Sequence, residues 1–354
     1  MNERMLQYDS GRLTMENYKF SGLDNTRIGA IKSVADYYQI PLSVSWIYGM
    51  TGMAFLHVLD EDLVKFNSGP ADTDIYRIAR NIGIEVEGIH EAAEGDAFQD
   101  LQRKAWEKAG NAFKAGEPVF VKNLDIENQV SVVPAIDDQG YYIQSWHVGP
   151  DSGNNRIGWQ ELGLSQCPCV DCVNERNGMV EGRAASGLIS IHSARPTPAI
   201  DSREALVQAL EYAIRINNKT VYEQDGIMYY SGAGAYRHWI TQLKDEKINR
   251  YFFSLFLEIV SEARVNASKF LEEIKLIAND IPVQLLDRGI DIYDEIASRY
   301  KVLKDKFPYS QPKEPLRDPD QLRTTLAIMT EIANLENDAE KFLSELYAAL
   351  TSDK

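Results

Sequence analysis

Cysteine is almost absent from this sequence of 354 residues: three occur, at Cys167, Cys169 and Cys172. So odd and clustered a set does not build the cross-linked framework of a small secreted domain. No cysteine precedes Cys167, which excludes a thiol nucleophile from the first part of the chain. Basic residues are also scarce. There are 53 Asp and Glu against 37 Lys and Arg, a formal charge of −16, and no Lys/Arg-dense stretch forms a local exception. Such a surface repels phosphate backbones and anionic headgroups, so neither nucleic acid nor a membrane is expected as a partner. Long apolar runs are missing as well. The longest, around Trp46 to Leu59 and Tyr251 to Val260, are too short or too interrupted to span a bilayer. No basic segment followed by an apolar one stands near Met1, so no secretory signal is expected and a cytoplasmic location is the default.

Apolar residues make up 44% and charged residues 25%, which is the composition of a folded globular chain of a length that usually divides into two domains. Thr26 to Tyr38 has helical spacing, with Asp24 or Asn25 as N-cap and Pro41 as the stop. A second helical stretch starts near Val44 and crosses Gly49, Thr51 and Gly52; glycines there predict a close backbone approach or a turn. Asp72 to Asn81 and Asp96 to Ala115 follow as amphipathic helices, the latter closed by Gly116. The period then changes. Pro118 to Lys122 reads as a strand, and Gln129 to Ile136 with Tyr141 to Trp146 reads as a hairpin around Asp137-Asp138-Gln139-Gly140. Gly187 to His192 is a further strand. Beyond Asp201 only helices are expected: Ser202 to Ile216, Ala233 to Lys244, Asn249 to Ala278, Pro282 to Lys306 and Asp320 to Leu350, with a proline-rich hinge at 307–319. The fold class is α+β, with an antiparallel sheet in residues 1–200 and a helical domain in residues 201–354.

The Gly49-Met-Thr-Gly-Met-Ala-Phe55 stretch after the first helix, the Gly116-Glu-Pro-Val119 strand start and the Ile136-Asp-Asp-x-Gly-Tyr-Tyr142 hairpin resemble butirosin biosynthesis protein H-like proteins. So does Tyr230 to Trp239 further on. That family is similar to the papain-like peptidases that process bacteriocin leaders. The resemblance implies a papain-like fold with a cleft between the first helix and the sheet. It also implies a Cys at the helix start, a His on the first hairpin strand and an Asp or Asn on the second. Those places hold Asn25 or Thr26, Val130 or Ser131, and Ser145, so a thiol triad is absent. Thr26 is left as an oxygen nucleophile whose base would be His147 or His57. The alternative is a cleft kept for binding, with the amides of the first helix favouring an anion or carbonyl.

The cleft reading gathers Asn25, Thr26, Arg27, Trp46, Thr51, Ser131, Ser145, Trp146, His147, Tyr236 and Arg237 as ligand-binding residues. Arg237 and Arg27 are the candidates to neutralise a carboxylate. Cys167, Cys169 and Cys172 offer three soft ligands to a structural zinc, with His147, His192 or Asp171 as the fourth. His57 is expected to be half-buried, His90 to lie in a turn, and His192 to cap a backbone carbonyl. The expected function is a catalytically degenerate papain-like protein that binds a small peptide-like or amino-acid-derived ligand. The resemblance implies an alternative, transfer of an acyl or aminoacyl group to an amine. A third reading is a structural protein whose long acidic helices form a homo-oligomer.

Overall fold

The computed structural model describes residues 6–9, 11–65, 71–147, 156–168, 172–173, 187–224, 226–278 and 281–352. The chain forms two compact units: Met1–Leu42 with Gly83–Ala199, and Ser43–Ile82 with Ile200–Lys354. Where the sequence suggested one boundary near residue 200, the path also passes between units after Leu42 and after Ile82.

The first unit is built on an eight-stranded antiparallel sheet. Its strands are β1 (Leu6–Asp9), β2 (Arg12–Met15), β4 (Ile84–Ala92), β5 (Val119–Lys122), β6 (Val130–Ile136), β7 (Gly140–Gln144), β8 (Arg156–Gly158) and β9 (Leu188–Pro196). The order is β1-β2-β6-β5-β9-β4, with β7 joining β6 to β8. Strand β6 changes neighbour along its length: Val130 to Val133 pair with β5, whereas Ala135 and Ile136 pair with β2. The register to β7 shifts between Val132 and Ala135, at Pro134, which has no N–H to give a ladder. Every residue of β5 and β6 is buried, as expected of central strands. The β6–β7 turn follows the Asp137 signal, its carboxylate accepting from Gln139 N at 2.8 Å and Gly140 N at 3.0 Å.

Helix α1 (Thr26–Tyr37) starts at Asn25, whose side chain accepts from Ile28 N. Helix α4 (Gly95–Ala115) ends on Gly116 at φ 69°, the left-handed conformation that glycine adopts without a Cβ clash. Strand β4, unanticipated, pairs with β9 over its whole length, Ile84 to Pro196 through Ala92 to Leu188. His90 therefore lies on a strand, not in a turn. The polar run Glu85, Glu87 and Glu91 hid the strand period, and Arg195 of β9 compensates it with ion pairs to Glu85 and Glu87.

The second unit holds α2 (Val44–Met50), β3 (Val58–Asp60), α3 (Ala71–Ile78), α5 (Ser202–Asn217), β10 (Val221–Gln224), β11 (Ile227–Ser231) and α6 (Ala233–Lys244). Three long helices complete it: α7 (Arg250–Ile277), α8 (Val283–Lys306) and α9 (Pro319–Thr351). It is helical from Ala233 onward, but β10 and β11 form a hairpin after Asp201, and β11 pairs with β3 in an antiparallel three-stranded sheet. Such short strands, carrying aromatic residues that also suit helices, gave no clear period. The expected close approach at Gly49 is present: a Cβ there would lie 2.1 Å from the Phe270 ring of α7. Among the described residues no helix is long and apolar enough to cross a membrane.

Candidate functional site

The start of α1 is bonded to the sheet. Thr26 Oγ1 accepts from Val130 N, the first residue of β6, at 3.0 Å. Asn25 Oδ1 caps the helix by accepting from Ile28 N at 3.3 Å. Asn25, Thr26 and Arg27 are all buried. The helix start and the hairpin, segments the sequence joined through one cleft, are in direct contact.

Beside Val130, the Ser131 hydroxyl donates to Asp125 Oδ1, and both residues are wholly buried. Asp125 lies in the β5–β6 loop, which is tied by Asn123 Oδ1 accepting from Asn128 N at 2.6 Å. Asn123 and Asn128 stand at φ 59° and 61°, a backbone shape that asparagine tolerates better than most residues. In this loop two acceptor oxygens, Asp125 Oδ2 and Gln129 Oε1, are buried with no hydrogen-bond partner among the described residues. Buried acceptors are nearly always paired, so two in one loop are exceptional. Neither was singled out from the sequence. A lone Asp and a lone Gln after an apolar strand look like turn residues, and only the folded neighbours bury them.

Just past β7 the chain meets the segment that precedes α1. Trp146, half exposed, donates from Nε1 to Leu23 O at 3.2 Å and meets Phe20 edge-on at 5.6 Å. Ser145 Oγ accepts from His147 N at 3.2 Å. His147 Nδ1 lies 3.2 Å from Cys172 Sγ and 3.8 Å from Cys167 Sγ, and the three ligand atoms fall within 4.8 Å of one another. Cys167 is buried and Cys172 half-buried. Of the two histidines suggested by the sequence as a fourth ligand, His147 is brought to the described cysteines. His192 instead stacks on Phe120 at 5.5 Å and shares a hydrogen bond with Ser190 Oγ at 3.2 Å. Cys169 and Asp171 lie outside the described residues.

A short ladder connects the cysteine segment to the loop of Asp125. Gly163 N and Ser165 N donate to Asn123 O, Gln166 N to Leu124 O at 2.8 Å, and Cys167 N to Asp125 O at 3.0 Å.

No protein-family model matches the chain, and no curated protein is similar to it at a significant level.

Trp46, Thr51, Tyr236 and Arg237 belong to the second unit. Trp46 meets Phe270 at 5.8 Å, and the Thr51 hydroxyl donates to Ile47 O at 2.7 Å. Tyr236 OH is held by Tyr300 OH at 2.7 Å and donates to Glu336 Oε1 at 2.8 Å, while Arg237 is exposed. His57 is wholly buried, not half-buried, its ring edge-on to Tyr236 at 4.1 Å. Burial, and then the Arg264 guanidinium, hold its imidazole well below the usual histidine range. Among the described residues no imidazole or carboxylate accepts the Thr26 proton.

Proposed function

We propose that the first unit is a papain-like domain without thiol chemistry that binds a small amino-acid-derived or peptide-like ligand through its amine. The observation behind this reading is the pair of buried acceptors, Asp125 Oδ2 and Gln129 Oε1, without donors among the described residues. A buried acceptor left unpaired costs about 1–3 kcal/mol, and more when charged. An ammonium or amide N–H group supplies what these oxygens lack, and an α-amine beside a carboxylate forms a charge-assisted bond. Gln129 is only half-buried, so the loop has a side that faces outward. The Asp125 carboxylate is bonded to Ser131, one of the positions where the butirosin protein H-like resemblance would put the base. Here Ser131 orients a carboxylate instead of activating a nucleophile.

The test is thermal shift and native mass spectrometry of the full chain against free amino acids, dipeptides and simple amines, each paired with its N-acetyl counterpart. Free amines should raise the melting temperature, N-acetyl forms should not, and Asp125→Asn should abolish the difference. A flat response across the amine panel, or equal responses to acetylated and free forms, would overturn the reading.

A further inference from the structure

Beyond ligand binding, we propose that His147, Cys167 and Cys172 supply three of the ligands of a zinc ion that clips the cysteine segment to the end of β7. A tetrahedral zinc with sulfur at about 2.3 Å and nitrogen at about 2.1 Å places ligand nitrogen and sulfur about 3.6 Å apart and two sulfurs about 3.8 Å apart. The two nitrogen–sulfur separations here, 3.2 and 3.8 Å, bracket the first value, and all three atoms lie within 4.8 Å of one another. Two thiols and an imidazole are a soft set that suits zinc over magnesium or calcium, which take oxygen. Cys167 and Cys172 are not joined in a disulfide. The cluster also unites residues far apart in sequence: His147 follows the β7 strand, whereas the cysteines arrive some twenty residues later.

The consequence for the fold follows from the ladder. Cys167 N donates to Asp125 O, Gln166 N to Leu124 O, and Gly163 N and Ser165 N to Asn123 O. These are loop bonds, and the short 3₁₀ turn at Trp159–Glu161 precedes the 163–167 side. A metal bond at Cys167 fixes the end of this ladder against β7 and so holds the loop that carries Asp125. Zinc binds the folded arrangement and is a source of folding free energy there.

The full chain, purified without chelator or polyhistidine tag, should carry one zinc by elemental analysis and by native mass. Its metal should survive gel filtration. His147→Asn and Cys172→Ser should each weaken zinc binding at least about a hundredfold in competition with a chromogenic chelator, since removing a ligand exceeds the loss on removing an outer partner. Stripping the wild type should lower its melting temperature and raise the reactivity of its thiols, and adding zinc should reverse both. Should the variants fail to fold, cobalt(II) added to stripped wild-type protein provides the independent reading. The intense visible bands of a tetrahedral ion and sulfur-to-cobalt charge transfer in the near ultraviolet support the site. Zinc well below one per chain after incubation with one equivalent, retention of zinc by both folded variants, or cobalt spectra without sulfur bands would overturn it. So would a Cys167–Cys172 disulfide in protein purified under reducing conditions.

Discussion

Each unit buries a carboxylate among polar partners, and the two are furnished in opposite ways. In the second unit Glu336 accepts from Arg264 Nε and from Arg264 Nη2, while Tyr236 donates to the same carboxylate at 2.8 Å. Arg264, wholly buried, spends its remaining Nη1 on Ala54 O at 2.8 Å and Leu56 O at 3.3 Å. That network is closed: both carboxylate oxygens are met, and the bonds join α7, α9, α6 and the segment before β3. In the first unit Asp125 has one oxygen met by Ser131 and the other met by nothing described. A closed network holds a fold together, and an open one is equipped to take a donor from outside. The same chemical group, a buried carboxylate, thus has a structural role in one unit and a candidate binding role in the other.

The contrast can be broken most forcefully in the closed network. Arg264→Met leaves Glu336 buried without its cation and should destabilise the full chain by about 3–5 kcal/mol in urea unfolding. Pairing it with Glu336→Leu should recover most of that loss. If the single and double variants unfold alike, the network is not closed in the sense argued. Asp125→Asn, by contrast, should leave stability nearly unchanged while removing the amine response.

A smaller effect comes from His57, which lies beside this network. Folded, its imidazole stays neutral because burial and Arg264 depress its proton affinity. Unfolded, it takes up a proton below about pH 6.5, so the unfolded chain binds more protons in acid, and stability should fall by about 1.4 kcal/mol between about pH 7.5 and about pH 5.5. His57→Phe, which keeps a ring against Tyr236 and Trp239, should remove that part of the pH slope; a slope identical to wild type would refute it. A somewhat smaller loss is expected at the helix start. Asn25→Ala removes the α1 cap and should cost about 1 kcal/mol, measured by the urea midpoint at constant slope.

The sequence conveyed local signals well and tertiary ones poorly. The Asp137 turn was legible because an Asp side chain folds its own hairpin over three residues. The long helices were legible because their apolar positions repeat over many turns. Strand β4 was not, since its glutamates are balanced by Arg195, more than a hundred residues away. At the candidate site, Asn25 was legible as one of two N-cap candidates, Thr26 through the family resemblance, and the cysteines by their density. Asp125 and Gln129 were missed because burial by neighbours leaves no mark on the residues themselves. The choice of His147 over His192 likewise needed the folded chain. Tyr236, proposed from sequence as a pocket residue, is engaged by Glu336 and Tyr300.

The interleaved path of the chain has a further consequence for how the protein is made. Ser43–Ile82 is translated well before the partners that cover it, α5 to α9. Strand β3 has no mate until Tyr229 to Ser231 have been synthesised, and Phe55 waits for Phe270 and Tyr293. A nascent chain halted near residue 200 would thus carry an apolar segment with nothing to dock on, the kind of surface that chaperones hold.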